Sequence, residues 1–186
     1  VLALVSRPGF DPNPFVTGID SISYQALMNS DDRPMYNRAL QGIYPPGSTI
    51  KPLMALVGLQ QGFNKPETKI FDRGYWQIPG DERHFRDWYW QRGGHGWVNA
   101  HDAIEQSCDV YFYDLAWRMQ IDKLSAAMSN WGFGETTGMD VGEETKGIMP
   151  SREWKKRARK EIWYPGETVS VGIGQGAWSA SIPQLA

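Results

Sequence analysis

A serine and a lysine with helical spacing form the first group of residues that could do chemistry. Ser48 and Lys51 follow directly after Pro46 and Gly47. This spacing puts both side chains on one face of a first helical turn. A lysine partly shielded from water can take the proton of a serine hydroxyl and make it a nucleophile, and the helix N-terminus favours an oxyanion. The alternative is a serine N-cap followed by an exposed lysine, because Ser-x-x-Lys often occurs by chance.

A second hydroxyl stands beside an acidic residue further along the chain, in the sequence Ser107-Cys108-Asp109. A hydroxyl next to a serine–lysine pair can relay a proton between the lysine and a leaving amine. Ser107 and Asp109 are therefore candidates for the same site as Ser48. The alternative is that Ser107 caps the helix that follows it.

The chain also contains the residue types of a zinc site. Cys108 is its one cysteine, which excludes an internal disulfide framework. The loop before it supplies Asp72, Asp87 and His95. A thiolate, an imidazole and two carboxylates make a sensible four-coordinate zinc site. Their spacing matches no standard finger, so a buried, inert thiol is the alternative. His84 and His101 are further candidates that we expect at the surface or at a helix end.

The composition is that of an ordinary water-soluble globular domain. The chain has 186 residues, of which 41% are apolar and 22% charged, and its formal net charge is −2. It lacks the cationic excess typical of nucleic-acid binders, so no nucleic-acid partner is predicted. Its longest apolar stretches, residues 1–5 and 53–59, are far shorter than a bilayer-spanning helix.

The elements that must hold the candidate residues are predicted from apolar spacing and turn residues. Ile50, Leu53, Met54 and Val57 predict a helix from Ser48 to about residue 61. Residues 62–98 show little periodicity, and a loop of that length usually has a function or an anchor. Further helices are predicted over residues 20–28, over residues 99–106 with Asn99 as cap, over residues 108–119 with Ser107 as cap, over residues 121–131, and at the start of residues 182–186. Strands are predicted over residues 168–173 and, as the tail of one, over residues 1–5.

Three further patterns carry less chemistry. Residues 152–160 are rich in lysine and arginine and predict a solvated helix face, with a contact to anionic headgroups or a partner as the alternative. Gly172, Gly174 and Gly176 do not form a dinucleotide fingerprint, because no helix with an acidic ribose ligand follows. They are expected to let the backbone approach closely under the site. The acidic pairs at 31–32 and 143–144 lie in turn-like sequence and indicate no glycosidase.

Both serine motifs, with their flanking sequence, resemble a known family. The sequences Tyr-Pro-Pro-Gly-Ser-Thr-Ile-Lys-Pro at 44–52, Gly-Ile-Gly-Gln-Gly at 172–176 and Ile-Pro-Gln-Leu-Ala at 182–186 resemble the active-site segments of penicillin-binding proteins. The resemblance covers essentially the whole chain. Within the family it is similar to the class B transpeptidases of cell elongation, and Ser107-Cys108-Asp109 resembles that subgroup's second motif.

The resemblance implies roles for the candidate residues. Ser48 would be the acylated nucleophile, Lys51 its general base and Ser107 an aid to proton transfer, with Asp109 where the family usually has asparagine. The implied fold is the α+β penicillin-recognising fold, an antiparallel sheet packed between helices. The family's Lys-Thr-Gly motif is absent, and Thr145-Lys146-Gly147 has those residues in another order. We therefore expect residues 1–186 to be a partial transpeptidase domain that lacks its own start and the Lys-Thr-Gly strand.

The resemblance also implies cofactors, partners and location. Elongation-type proteins resemble one another in a zinc site of this region, which favours zinc at Asp72, Asp87, His95 and Cys108. The implied substrates are peptidoglycan stem peptides, with β-lactams as inhibitors and a membrane glycosyltransferase and other elongation proteins as partners. The implied location is the periplasmic side of the bacterial inner membrane, with an anchor outside this chain. The alternatives are a serine β-lactamase, a β-lactam sensor, or a non-catalytic binding module.

Overall fold

The computed structural model describes residues 2–186, which form an α+β arrangement of helices with short antiparallel strand pairs. The helices are α1 (Asn13–Thr17), α2 (Ser21–Met28), α3 (Lys51–Gln60), α4 (Ala100–Glu105), α5 (Asp109–Asn130), α6 (Arg152–Arg159), α7 (Pro165–Val171) and α8 (Ile182–Leu185). The strands are β1 (Ile43–Tyr44), β2 (Ile70–Asp72), β3 (Tyr75–Gln77), β4 (His84–Arg86), β5 (Gly96–Val98) and β6 (Ala180–Ser181). The expected α+β class is confirmed, with the strands present as the pairs β1–β6, β2–β5 and β3–β4.

Helix α5 is the centre of the hydrophobic core. Its side chains Leu115, Met119 and Leu124 are completely buried, and it packs against α3, α4 and α7. The backbone leaves helical geometry at Gln120, which separates α5 into the two helices predicted over 108–119 and 121–131. The core thus forms around the helix whose first residues carry the second serine motif.

Residues 62–98 are more ordered than their sequence predicts. Strands β2 and β5 pair with Phe71 opposite Trp97, and β3 and β4 pair with Trp76 opposite Phe85. The prediction of a stretch without regular structure is therefore wrong. Strands of three residues are too short to produce a visible alternation of apolar and polar residues, and cross-strand aromatic pairs hold them together.

Both strand predictions are wrong. Residues 165–171 form helix α7, with Pro165 at its first position and the Glu167 carboxylate accepting the Tyr164 N–H. These signals start a helix at Pro165. Val169 and Val171 are also buried against the core, and the two effects together outweigh the β-propensity of the valines and Thr168. Residues 2–5 contain no strand, and residue 1 of that prediction lies outside the described part of the chain.

Three other predicted helices are confirmed by their caps. The Asp20 carboxylate accepts the N–H groups of Ile22 and Ser23 at the start of α2. Asn99 and Asp102 form a capping box on α4, and Ser181 caps α8. Over residues 2–186, no helix has the length and apolar character needed to cross a membrane.

Candidate active site

Ser48 lies in a tight turn at the entrance to α3. Gly47 has a left-handed backbone with φ +56°, and residues Gly47–Ile50 form a 3-10 helix that leads directly into α3. The Thr49 hydroxyl donates to the Pro46 carbonyl at 2.7 Å and closes the turn. Lys51 begins α3 and is only 1% exposed, so the alternative of an exposed lysine is excluded. The predicted helix from Ser48 thus starts as 3-10 geometry, in which Ser48 stays exposed while Lys51 is buried.

Ser107 does not cap α5. It has a left-handed backbone with φ +53°, and α5 begins at Asp109 after Cys108, which provides no side-chain cap. The Asp87 carboxylate takes that role, because its Oδ2 accepts the N–H groups of Asp109 at 2.6 Å and Val110 at 3.4 Å. The prediction of Ser107 as a cap is therefore wrong, since a side chain distant in sequence satisfies the helix start and leaves the Ser107 hydroxyl free for other partners.

The four predicted catalytic residues meet in one hydrogen-bonded group. Lys51 Nζ lies 3.0 Å from Ser107 Oγ and 2.6 Å from Asp109 Oδ1, and it also donates to the Ser107 carbonyl at 2.8 Å. Ser107 Oγ in turn lies 3.1 Å from Ser48 Oγ. Within residues 2–186 the hydrogen-bonded path from Ser48 to Lys51 runs through Ser107, whereas the sequence predicts a direct contact.

Lys51 and Asp109 are largely screened from water. Burial raises the pKa of the Asp109 carboxyl, while its hydrogen bond to Lys51 acts in the opposite direction. The Phe112 ring centroid lies 5.5 Å from Lys51 Nζ. In such surroundings Asp109 holds the lysine in place and can stabilise a positive charge that forms on it.

The predicted metal ligands also converge. Asp72, Asp87, His95 and Cys108, here named the four-residue cluster, offer donor atoms that all lie within 4.8 Å of one another. His95 Nδ1 is 2.8 Å from Asp72 Oδ2 and 3.4 Å from Asp87 Oδ1, and Cys108 Sγ is 3.4 Å from Asp72 Oδ2. Burial raises the pKa of the Cys108 thiol, with repulsion from both carboxylates as a smaller cause.

The remaining histidines lie outside the cluster, as expected. His84 stacks on Tyr75 in the β3–β4 pair. The His101 side chain is 82% exposed. The sequence therefore identifies the members of the cluster correctly, but it does not reveal that the second oxygen of Asp87 caps α5.

The other motifs lie around this site. The Gly174 carbonyl accepts the Gly47 N–H at 2.8 Å, so the predicted close approach of the glycine segment beneath the site is confirmed. Thr145-Lys146-Gly147 lies in a loop, as predicted. Residues 152–159 form α6, a largely exposed helix whose Lys155 is buried and paired with Glu161 and Glu167. Only this one lysine departs from the predicted solvated face.

Comparisons with known proteins agree with this geometry. A family model described as the penicillin binding protein transpeptidase domain matches residues 1–186. The chain is 53% identical to the peptidoglycan D,D-transpeptidase MrdA of Acinetobacter baumannii and 49% identical to MrdA of Escherichia coli K12. Each alignment covers all of this chain, but only 27% and 29% of the two relatives. The chain thus spans less than a third of these proteins.

Solved structures give the same result. PBP2 of Pseudomonas aeruginosa, in complex with WCK 5153, superimposes with a TM-score of 0.93 and 52% identity over 100% of this chain and 42% of that one. PBPA of Mycobacterium tuberculosis, at 22% identity and a TM-score of 0.83 over 99% of this chain and 41% of that one, shares the fold. The resemblance predicted from the motifs, which indicates penicillin-binding protein 2 of Gram-negative bacteria, is confirmed. The chain belongs to the family of penicillin-binding protein transpeptidase domains.

Proposed function

We propose that this chain supplies the nucleophilic half of a peptidoglycan D,D-transpeptidase that cross-links stem peptides during cell elongation. The observation that carries the proposal is the hydrogen-bonded group of Ser48, Ser107, Lys51 and Asp109. A nucleophile, a relay and a buried base with its own charge partner are what acyl transfer through a serine requires. The names of the relatives support the same reaction.

The proposed reaction has two stages. Ser48 Oγ bonds to the carbonyl carbon of the penultimate D-alanine while its proton passes through Ser107 to Lys51, which acts as the base. The bond from that carbon to the nitrogen of the terminal D-alanine breaks, and the leaving amine takes a proton back along the same path. An amine of a second stem peptide then bonds to the acyl carbon, the bond from that carbon to Ser48 Oγ breaks, and the proton lost by the amine returns to Ser48 Oγ as its hydroxyl hydrogen. Asp109, 2.6 Å from Lys51, stabilises the ammonium that forms between these transfers.

The proposal extends to inhibitors, partners and location. A β-lactam presents a strained amide to Ser48 and would form the same kind of acyl-serine. The relative from Helicobacter pylori, 35% identical with a TM-score of 0.90, was solved as a complex of PBP2 with MreC, and another relative as part of a peptidoglycan synthase complex. These similarities support our proposal that the protein works in the elongation machinery beside a membrane glycosyltransferase, on the periplasmic side of the inner membrane.

The four-residue cluster fits a structural zinc ion. Asp72, Asp87 and Cys108 are at most 1% exposed, and across the described residues neither carboxylate pairs with a lysine or arginine. Burying two carboxylates without such a partner lowers the stability of the folded state, and a divalent cation would compensate both charges. Asp72, Asp87, His95 Nδ1 and the Cys108 thiolate would hold the ion, which when bound would cross-link the 62–98 segment to the start of α5.

Covalent labelling tests the proposed function. We expect a fluorescent penicillin to acylate the full-length protein that carries this domain once per molecule, and we expect Ser48→Ala to abolish the label. The reason is that Ser48 is joined through Ser107 to the buried Lys51, and Ser48 is the more exposed of the two serines. Intact-mass spectrometry reports the adduct directly.

The matched control is Ser129→Ala, which alters an exposed serine in the same fold. It should label like the wild type. A stable adduct that transfers to an added amine supports the transpeptidase, whereas rapid hydrolysis would indicate a β-lactamase. Retained labelling of the Ser48→Ala protein would refute the assignment of the nucleophile.

A further inference from the structure

A backbone contact fixes the peptide that precedes the nucleophile. The Gly174 carbonyl accepts the Gly47 N–H at 2.8 Å, and Gly47 is the residue directly before Ser48. Gly47 itself is held in a left-handed conformation. The position of the Ser48 hydroxyl therefore depends on a residue far along the chain that has no side chain of its own.

Only glycine fits at residue 174. A Cβ placed there would lie 2.3 Å from the Gly47 carbonyl oxygen and 2.6 Å from the Gly47 nitrogen. These are backbone atoms, which cannot move aside as the end of a flexible side chain can. Gly176, two residues on, has nearly the same left-handed φ of +74° against +70°. Its Cβ would meet nothing closer than Ser170 Cβ at 3.6 Å, which is an ordinary contact.

The other end of the glycine segment rests on α5. A Cβ at Gly172 would lie 2.5 Å from Ala116 Cβ and 2.8 Å from the Phe112 carbonyl oxygen, so this residue touches the helix directly. Helix α5 carries Asp109 at its start. The strand pair β1–β6 makes a second contact between the segment before Ser48 and the segment after Gly174, with Tyr44 opposite Ala180. The segment that leads into the nucleophile is thus held at two points by residues 174–181.

We propose that Gly174 is a positioning residue for Ser48. Its carbonyl fixes the Gly47 peptide, and its missing side chain lets the two backbones approach, which keeps Ser48 Oγ 3.1 Å from Ser107 Oγ. This inference rests on the proposed function, since the effect of misplacing Ser48 is expressed in acylation. An error of about 1 Å in the placement of a reacting group can lower a rate about 10²-fold.

Two glycine variants of the full-length protein separate positioning from general strain. Gly174→Ala and Gly176→Ala impose the same left-handed backbone on an alanine, but only the first places a methyl group against Gly47. The time course of acylation by a fluorescent penicillin, measured over a range of concentrations well below both melting temperatures, gives the non-covalent dissociation constant and the first-order acylation rate separately. We expect Gly174→Ala to lower the acylation rate about 10²-fold with a nearly unchanged dissociation constant. Gly176→Ala should acylate within a few-fold of the wild type.

Two outcomes would overturn the proposal. One is a Gly174→Ala protein that acylates at the wild-type rate, and the other is an equal loss of rate in both variants, which would assign the effect to backbone strain. If Gly174→Ala does not fold, amide hydrogen exchange of the wild-type protein decides the question. Slow exchange at Gly47 supports the contact, and exchange at the rate of an unprotected amide refutes it. A wild-type protein that forms no adduct would instead contradict the proposed function, and the exchange measurement would still test the Gly174 contact.

Discussion

At the scale of single residues, the position of Ser107 sets the path by which we propose that Ser48 loses its proton. The Ser107 hydroxyl lies between the other two groups, 3.1 Å from Ser48 Oγ and 3.0 Å from Lys51 Nζ. Its left-handed backbone turns the hydroxyl toward them. The residue types and the Ser48–Lys51 spacing, together with the resemblance to penicillin-binding proteins, predict the members of this group. The relay could not be predicted, because it depends on a backbone conformation that a non-glycine residue rarely adopts.

A charge-conserving change at Lys51 tests the role of that residue as a base. Arginine in place of lysine keeps a cation for Asp109 but stays protonated at any accessible pH, so it cannot accept the Ser48 proton. We expect Lys51→Arg to lower the acylation rate by about 10²–10⁴-fold. Stopped-flow labelling of the folded variant checks this rate, and its melting curve reports whether the buried site accepts the larger group.

A second variant keeps this test decisive if arginine does not fit. Lys51→Met removes the base but retains an apolar stem in the buried position. It should bind the penicillin without acylation. Acylation within a few-fold of the wild type in either folded variant would show that another group takes the proton.

At the scale of elements, the sequence predicts the two halves of helix α5 but not how the helix starts. Its two halves and their junction at residue 120 follow from apolar spacing in the sequence. Its start does not, because Asp87, from a separate loop, satisfies the N–H groups of Asp109 and Val110. Likewise α7 has the β-branched composition of a strand, but the proline and the glutamate at its start and burial against α5 make it a helix. Local propensity fails where tertiary contacts supply the missing hydrogen bonds.

The junction within α5 gives a stability prediction. Gln120 is exposed and has φ +62° and ψ +157°, a region open essentially only to glycine. Gln120→Gly should therefore raise the free energy of unfolding by about 1 kcal/mol, which is the relieved strain less the entropy of glycine in the unfolded chain. Urea denaturation of the two proteins measures the difference.

The matched control is Ala126→Gly, which replaces an exposed residue within the regular second half of α5. Glycine in a helix interior costs about 1 kcal/mol relative to alanine, so this variant should be less stable than the wild type. If both variants are destabilised alike, the backbone at residue 120 is not strained.

At the scale of the whole molecule, Cys108 connects the hydrogen-bonded group around Lys51 with the four-residue cluster. Its neighbours Ser107 and Asp109 face Lys51, while its own sulfur lies against Asp72 in the four-residue cluster. Asp87 strengthens this connection, because one oxygen faces His95 and the other caps α5. The sequence predicts which residues could bind zinc. That the cluster supports the catalytic helix becomes visible only when strands β2 to β5 bring the loop against α5.

The last prediction concerns the metal. If the cluster binds zinc, the purified full-length protein should contain about one equivalent by elemental analysis, and a chelator should lower its melting temperature. An ion that binds only the native state at a concentration about 1,000 times its Kd stabilises that state by about 4 kcal/mol. Cys108→Ser should reduce the zinc content strongly, since it replaces the thiolate ligand, whereas His84→Ala alters a histidine outside the cluster and should keep it. Because Asp87 caps the start of α5 and Cys108 directly precedes it, zinc removal should also slow acylation of Ser48 without contact between the ion and the penicillin. A zinc-free protein whose melting temperature does not change with chelator would leave Cys108 as a buried thiol with no metal to bind.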